Sequence, residues 1–504
     1  MDNKSDNKTS EKLSEISDDI PGDNVIDKGE GKLESGYMHS AVDIKKKLDL
    51  VSPSMCLAKW NQVSIHLTTG QTQSCYHPPT HKIPLEELAA SSSALHNTKH
   101  KKEQRRLMKE GVRPKECEYC WNIEDAPGNH LSDRHYRSGE NWSIDMYDEV
   151  VSNDYDYDVK PRYVEVNFNH ACQLSCSYCS PHISSSWLDE INKHGAYPTI
   201  SPHNSLDWVK QAGLMPIRQD QPNPYRDAFW EWWPKIYPNL RVFRMTGGEP
   251  LLDMNTFRVF DYVIGNPSPK LQIALTSNMS TRPELMDRFI QKAAFIADRK
   301  LIDHLALFAS VDSVGAQAEY IRHGLNFDTF LKHVNRYLND VNANSLSFIN
   351  TFNVMSVTGL PKFIDMVLEL RAKHSKTFQK VWFDTPMLRY PAWQSIQILP
   401  QRYHGLIEEC IRYMRKFEET RDNRLTGIKD FEIAKLERVL AWMKQGVDLP
   451  QDKLRRDRAD FFRFFSEHDR RRGTNFIKTF PEMADFWGLC EQSSKEYDQL
   501  NGVG

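Results

Sequence analysis

From Arg162 onward, six short runs rich in Val, Ile and Phe alternate with helical stretches, and this alternation limits the possible folds more than any other feature. The runs are Tyr163–Phe168, Leu240–Met245, Leu271–Thr276, His304–Val311, Leu346–Met355 and Val381–Met387. Helical periodicity fills residues 254–264, 283–295, 326–339 and 360–373 between them. Parallel neighbours cannot be joined by a tight turn; they need a crossover of about a dozen residues or more, usually a helix. Strand–helix repetition therefore predicts an α/β domain with a parallel sheet. After Pro400 the pattern is helical throughout (401–420, 428–446, 454–466). At roughly 100–200 residues per domain, the 504-residue length allows two to four units, or one large barrel with additions.

The expected organisation is a disordered acidic tail over 1–48, a small metal-organised α+β module over 49–150, the α/β domain over 160–390, and a helical extension over 391–504. Residues 1–36 carry ten acidic and five basic side chains and no aromatic residue. Such a stretch cannot bury enough apolar surface to offset its ordering entropy. In the module, Gln62–Leu67, Gly70 and Gln73–Tyr76 read as strand, turn, strand, and 84–111 reads as helical and basic. Within the α/β domain, residues 181–238 form an insertion rich in Trp and Pro. It is either a lid or substrate wall, or a packed subdomain.

Elsewhere, 39% hydrophobic residues, with 12 Trp, 19 Tyr and 24 Phe, supply ample core. No apolar run approaches the ~18 residues of a membrane span, and the polar N-terminus lacks the apolar stretch of a secretory signal. The expectation is a cytoplasmic protein with no membrane partner. A net charge of −3 gives no global argument for nucleic acid.

In a cytosolic chain, clustered cysteines read as metal ligands or catalytic groups before disulfides. Seven of the nine fall into two groups. Cys172, Cys176 and Cys179 follow the first strand with C-x3-C-x2-C spacing. Three thiolates around one cubane leave the fourth iron open, as a catalytic site requires. The second group is Cys56, Cys75, Cys117 and Cys120. Four thiolates saturate a [4Fe-4S] cube, which then suits electron transfer or structure. The same four would equally hold a structural zinc.

The segment N-H-A-C-Q-L-S-C-S-Y-C, with Tyr178 before the last cysteine and a strand before it, resembles the radical S-adenosylmethionine (radical SAM) superfamily. Thr246-Gly247-Gly248-Glu249-Pro250, after the second strand, is similar to that family's GGEP motif. The resemblance implies that this motif contacts the amino group of the bound methionine moiety, with Glu249 as the anionic acceptor. Gly247 and Gly248 would let the backbone approach the ligand. Ser310-Val311-Asp312 resembles the S-x-D element that contacts ribose and carboxylate. Arg322 is placed like an arginine that pairs with the carboxylate, and Asn278, in T-S-N-M where relatives carry T-N-G, like a ribose or carboxylate contact. No G-x-I-x-G-x-x-E element marks the fifth strand, so the adenine contact is placed near Val354–Val357.

The resemblance implies a partial (β/α)6 TIM-like barrel over about 160–390, with the cluster at the C-terminal ends of its strands. It also implies a reduced [4Fe-4S] cluster that cleaves S-adenosylmethionine and a reductant such as flavodoxin or ferredoxin. C-x13-G-x4-C from Cys56 to Cys75, with the later C-x2-C, is similar to the opening of twitch and SPASM modules. Those modules usually follow the barrel rather than precede it. A second [4Fe-4S] cluster there would favour oxidation or cross-linking of a small molecule or peptide. Two further readings stand beside this one. The basic runs His96–Lys115 and 452–472, the latter interleaved with Phe461, Phe462, Phe464 and Phe465, would serve an RNA-modifying enzyme. A non-catalytic zinc or iron–sulfur protein would keep the cysteines alone. Cys410 and Cys490 stand alone and read as small core residues.

Overall fold

The computed structural model describes residues 40–502 except 204, 219, 343 and 344. The expected tail therefore lies largely outside the described residues. Its last part does not: Ala41–Asp49 forms helix α1. Ile44 and Leu48 fall on one face of this helix and are buried beside Met55 and Trp60. An i, i+4 apolar pair with a packing partner outweighs the polar composition around it.

All six predicted strand runs are strands of one sheet, so the chain is α/β. They are β4 (Tyr163–Asn167), β6 (Val242–Thr246), β7 (Ser268–Ser277), β8 (Ile302–Ser310), β10 (Ser345–Ile349) and β11 (Val381–Asp384). Adjacent members pair in parallel. The sheet has nine strands in the order β11-β10-β8-β7-β6-β4-β1-β2-β3. The three extra strands, β1 (Gln62–His66), β2 (Gln71–Gln73) and β3 (His81–Lys82), come from the segment expected to be a separate module. β1 pairs in parallel with β4, and β2 and β3 add antiparallel beyond it. The boundary near residue 150 thus cuts through a continuous sheet. The alternation of Val63, Ile65 and Leu67 is visible in the chain, but its partner lies a hundred residues away, beyond the reach of local pattern.

The two faces of the sheet differ. Val63, Val164, Val166, Phe243, Met245, Ile273 and Leu275 are fully buried on one side, in the main core. Their register neighbours on the other side include Ser64, Glu165 and Arg244, and the last two form a buried ion pair at 3.5 Å. Alternation along a strand puts these sets on opposite faces.

Helices cover the apolar face. In the N-terminal segment α2 is Lys99–Lys109, α3 Glu118–Glu124 and α4 Asp133–Gly139. Residues 181–238 hold α5 (Ser185–His194) and α6 (Pro224–Ile236). α6 is the crossover helix between β4 and β6: Phe229 and Trp233 pack on Phe243 with ring centroids 6.2 and 4.6 Å away. Of the two readings of this stretch, the packed one fits Trp187, Trp232 and Trp233, all buried. α7 (Met254–Gly265), α8 (Pro283–Asp298), α9 (Gly315–Ile321), α10 (Phe327–Asp340) and α11 (Ser356–His374) complete the crossovers. α7 and α10 start at Asp253 and Asn326, whose side chains accept from Asn255 and Thr329 backbone N–H groups, as N-caps do.

The C-terminal extension is helical as predicted, and α12 (Gln451–Arg472) packs along α13 (Ala484–Asn501). Phe461, Phe464 and Phe465 are fully buried, while Phe462 meets Trp487. These rings are core, not a stacking platform for bases. In the other basic run, Lys101 and Arg105 are buried, and Arg106 is paired with Glu103 and Glu110. Cys410 and Cys490 are buried in the core. No helix among the described residues is long and apolar enough to cross a membrane.

Candidate metal centres

The first centre sits at the C-terminal ends of the parallel strands. Cys172, Cys176 and Cys179 lie in the loop leaving β4; within it Ser175–Cys176 forms β5, which pairs antiparallel with β9 (Arg322–His323). The loop is held by its own carbonyls. Ser186 Oγ donates to Cys172 O (2.6 Å), Ser184 Oγ to Leu174 O (2.9 Å) and Trp187 Nε1 to Cys176 O (2.8 Å). Gln394 Nε2 donates to Ser177 O, and Ser177 Oγ returns a bond to Gln394 Oε1, each at 2.9 Å. The first turn of α5 and the start of the extension therefore fix the three thiols. Rigid placement of ligands is what a cluster site needs.

The GGEP segment follows β6 and packs on this loop. Gly248 N donates to Asn169 O (3.2 Å) and Glu249 N to Ala171 O (2.6 Å). A Cβ at Gly247, where φ is +124°, would stand 2.6 Å from Asn167 Oδ1; one at Gly248 would stand 2.4 Å from Ala171 O. The close approach that demands glycine is thus loop against loop. The expected role of Glu249 shifts accordingly. Its carboxylate is fully buried and accepts from Leu251 N (3.0 Å), Ser277 Oγ (2.9 Å) and Asn278 N (2.7 Å). These bonds tie the β6 loop to the end of β7. Burial pushes its carboxyl up to about 7, against the pull of those donors.

Tyr178, Asp312 and Arg322 also converge, and they bond to one another. Tyr178 Oη and Arg322 Nη2 donate to Asp312 at 2.8 and 3.0 Å, and Thr351 N donates to it at 2.9 Å. Arg322 is held in its charged form by Asp312, Tyr178 and Cys176 despite burial. Its Nη1 lies 3.7 Å from Cys176 Sγ, and Asn278 Nδ2 lies 3.9 Å from Cys172 Sγ. Asn278 Oδ1 meanwhile accepts from Gln173 Nε2 at 2.9 Å. Ser310 ends β8, half-buried. Val354, Met355 and Val357 are fully buried at the start of α11, and Val354 N donates to Gln394 O at 3.0 Å.

These residues fit a thiolate-bound cluster. Three thiols share one loop, and two side chains donate toward their sulfurs, as donors around cluster sulfurs do. Burial raises both the Cys172 and Cys179 thiols, the first to about 12, so a cationic centre has to displace their protons. Around them, Asn167 Oδ1 and both amide atoms of Asn350 are buried without a partner. These asparagines stand at, or one residue past, the C-terminal ends of β4 and β10. Orphaned buried polar atoms of this kind call for a ligand or water. Neither asparagine carries a motif; the signal in the chain is only a polar residue closing an apolar run.

The second centre is assembled from four separate places. Cys56 precedes β1, Cys75 follows β2, Cys117 ends a short 3-10 turn and Cys120 lies in α3. All four line one cavity, with Lys59, Arg134 and Arg137. Burial pushes Cys117 up to about 11 and Cys120 to about 12. Three cations stand beside the four thiols, each paired with a carboxylate. Lys59 is buried and paired with Glu116, which also accepts from His100 Nε2 at 2.7 Å. Arg134 is fixed by Glu124 at 2.7 and 2.9 Å. His77 bonds Asp133 at 2.9 Å and stacks on Tyr119, ring centroids 3.7 Å apart. The cations carry no sequence signature, because the folding of α2–α4 around β1 brings them there.

Among the described residues, no three His, Cys, Asp or Glu side chains are gathered closely enough to chelate a single metal ion. No family model matches the chain, and no curated protein matches it.

Proposed function

We propose that this chain is a radical SAM enzyme with an auxiliary metal centre, built on a partial (β/α)6 barrel. The observation that carries the reading is the Cys172–Cys179 loop. It lies at the C-terminal ends of parallel strands, where α/β barrels place their chemistry, and the GGEP segment is packed against it. When bound, a [4Fe-4S] cluster at these thiolates would supply reductive cleavage of S-adenosylmethionine to a 5′-deoxyadenosyl radical, which takes hydrogen from the substrate.

The protein's part is to hold and to exclude. Ser184, Ser186, Trp187 and Gln394 fix the loop. Arg322 and Asn278 direct N–H groups toward sulfur, and the tie from Glu249 keeps the β6 and β7 loops in register. Asn167 and Asn350 offer unfilled hydrogen-bonding atoms to S-adenosylmethionine or to substrate. The substrate is an unidentified small molecule or peptide, and a flavodoxin or ferredoxin would supply electrons. The four-cysteine cavity, holding a second [4Fe-4S] cluster, would accept an electron from the substrate radical and so favour net oxidation or cross-linking.

The test is anaerobic incubation of the reconstituted protein with S-adenosylmethionine and dithionite. Formation of 5′-deoxyadenosine and methionine, lost in the Cys176→Ala variant, is the expected result. Equal product with and without Cys176, or none from the wild type, removes the reading.

A further inference from the structure

The cations around the second centre are all paired. Arg134 and Arg137 have the carboxylate partners Glu124 and Asp133 at 2.7 and 3.6 Å. Lys59 has Glu116; its side chain is 2% exposed and, like the two arginines, lines the cavity with the four thiols, whereas Glu116 is not part of that lining. Cys117 and Cys75 line that same cavity, and their charge acts on the ammonium. Glu116 is the residue next to Cys117, and His100, half-exposed, backs it from the surface side. The order is therefore surface imidazole, carboxylate, ammonium, sulfur.

An ammonium in the wall of a cluster's cavity stabilises the state with more negative charge, which is the reduced one. Hydrogen bonds and charges of this kind set the potential of an iron–sulfur centre. Glu116 opposes that effect from one residue further out. The pair thus works as a lever with two arms of opposite sign, and Lys59 is the nearer arm.

We propose that Lys59 is a positioning residue that raises the reduction potential of the auxiliary centre and makes it an electron acceptor, with Glu116 limiting the rise. This rests on the reading that the four cysteines hold a [4Fe-4S] cluster. On one-electron reduction the cluster gains a single negative charge and no bond is made or broken; the electron comes from the substrate radical.

The test uses the full chain, reconstituted with iron and sulfide, in an EPR-monitored redox titration without S-adenosylmethionine. The Cys172→Ala/Cys176→Ala/Cys179→Ala background leaves only the auxiliary signal. In that background Lys59→Met is expected to lower the ratio of reduced to oxidised centre about tenfold at fixed potential, a negative shift of about 59 mV for one electron. Glu116→Gln is expected to move it in the positive direction. A zinc content of one per chain, with no reducible centre in the background variant, overturns both the lever and the cluster reading. A reducible centre whose potential is the same in both variants overturns the lever alone. If Lys59→Met does not take up iron, Glu116→Gln decides by its sign, since a purely structural pair gives no positive shift.

Discussion

The two cysteine sites are built in opposite ways. Cys172, Cys176 and Cys179 occupy eight consecutive positions of one loop, and the fold only has to hold that loop still. Cys56, Cys75, Cys117 and Cys120 come from four places in a 65-residue stretch, and the fold itself makes the site. The consequence is electrostatic as well as geometric. At the loop site Arg322 has its own buried counter-ion, Asp312, and the network closes on itself. At the assembled site three such pairs, of Lys59, Arg134 and Arg137 with Glu116, Glu124 and Asp133, surround one cavity. A local motif announces its ligands and conceals its surroundings. A dispersed one depends on its surroundings to exist at all.

The largest effect that would break this contrast comes from the ligands. Replacing Cys172, Cys176 and Cys179 by Ala should abolish S-adenosylmethionine cleavage, measured as 5′-deoxyadenosine, while the assembled site keeps its metal. Joint loss of both metals would show that the sites are one cooperative unit. Next is Asp312→Ala, which leaves the Arg322 charge buried and unpaired. Denaturant unfolding should show a loss of about 3–5 kcal/mol. Arg415→Ala, which removes an exposed ion pair with Glu437, should leave the unfolding midpoint nearly unchanged, since exposed pairs are screened by solvent.

Glu249 gives a pH signature to the loop site alone. Its carboxyl titrates at about 7 in the fold against an ordinary value of 4.5. The native state therefore holds the proton to higher pH than the unfolded chain does. Stability from this group is full below pH 4.5, falls as pH rises to about 7, and then levels; the total is on the order of 3 kcal/mol. Unfolding free energies across pH 4.5–7.5 should show that fall in the wild type and lose it in Glu249→Gln. An equal slope in both would remove Glu249 from the account.

Two glycines sharpen the contrast further. Gly248→Ala, with its Cβ forced against the Ala171 carbonyl, should cost about 1–3 kcal/mol and slow cluster assembly. Gly265→Ala, with open space around it, should be neutral or stabilising by about 0.4–1 kcal/mol. Comparable losses at both would mean that the β6 loop does not clamp the cysteine loop.

What the chain reveals and what it hides follow the same division. The six strand runs and the helices between them are legible because 2.0- and 3.6-residue periods are local. The union of β1 with β4 is not, because a parallel pairing leaves no mark near either strand. Cys172, Cys176 and Cys179 are legible from spacing, whereas the pairing of Asp312 with Arg322 and the burial of Glu249 depend on how three loops meet. Trp187, Trp233 and the phenylalanines of α12 read as either surface or core until their partners are known; in the structure they are core. Lys59 was hidden for the same reason, since nothing in W-N-Q-V around it speaks of sulfur.

On the reading proposed, both sites hold [4Fe-4S] clusters and only the loop site binds S-adenosylmethionine. The most direct measurement is anaerobic iron and sulfide analysis with EPR, with and without S-adenosylmethionine, on three proteins. These are the wild type, the Cys172/Cys176/Cys179→Ala variant and the Cys56/Cys75/Cys117/Cys120→Ala variant. The account predicts about eight irons in the wild type and about four in each variant. The spectrum should respond to S-adenosylmethionine in the wild type and in the second variant only. Zinc in place of the second cluster would contradict the electron-acceptor role, and a spectrum indifferent to S-adenosylmethionine in every protein would contradict the account as a whole.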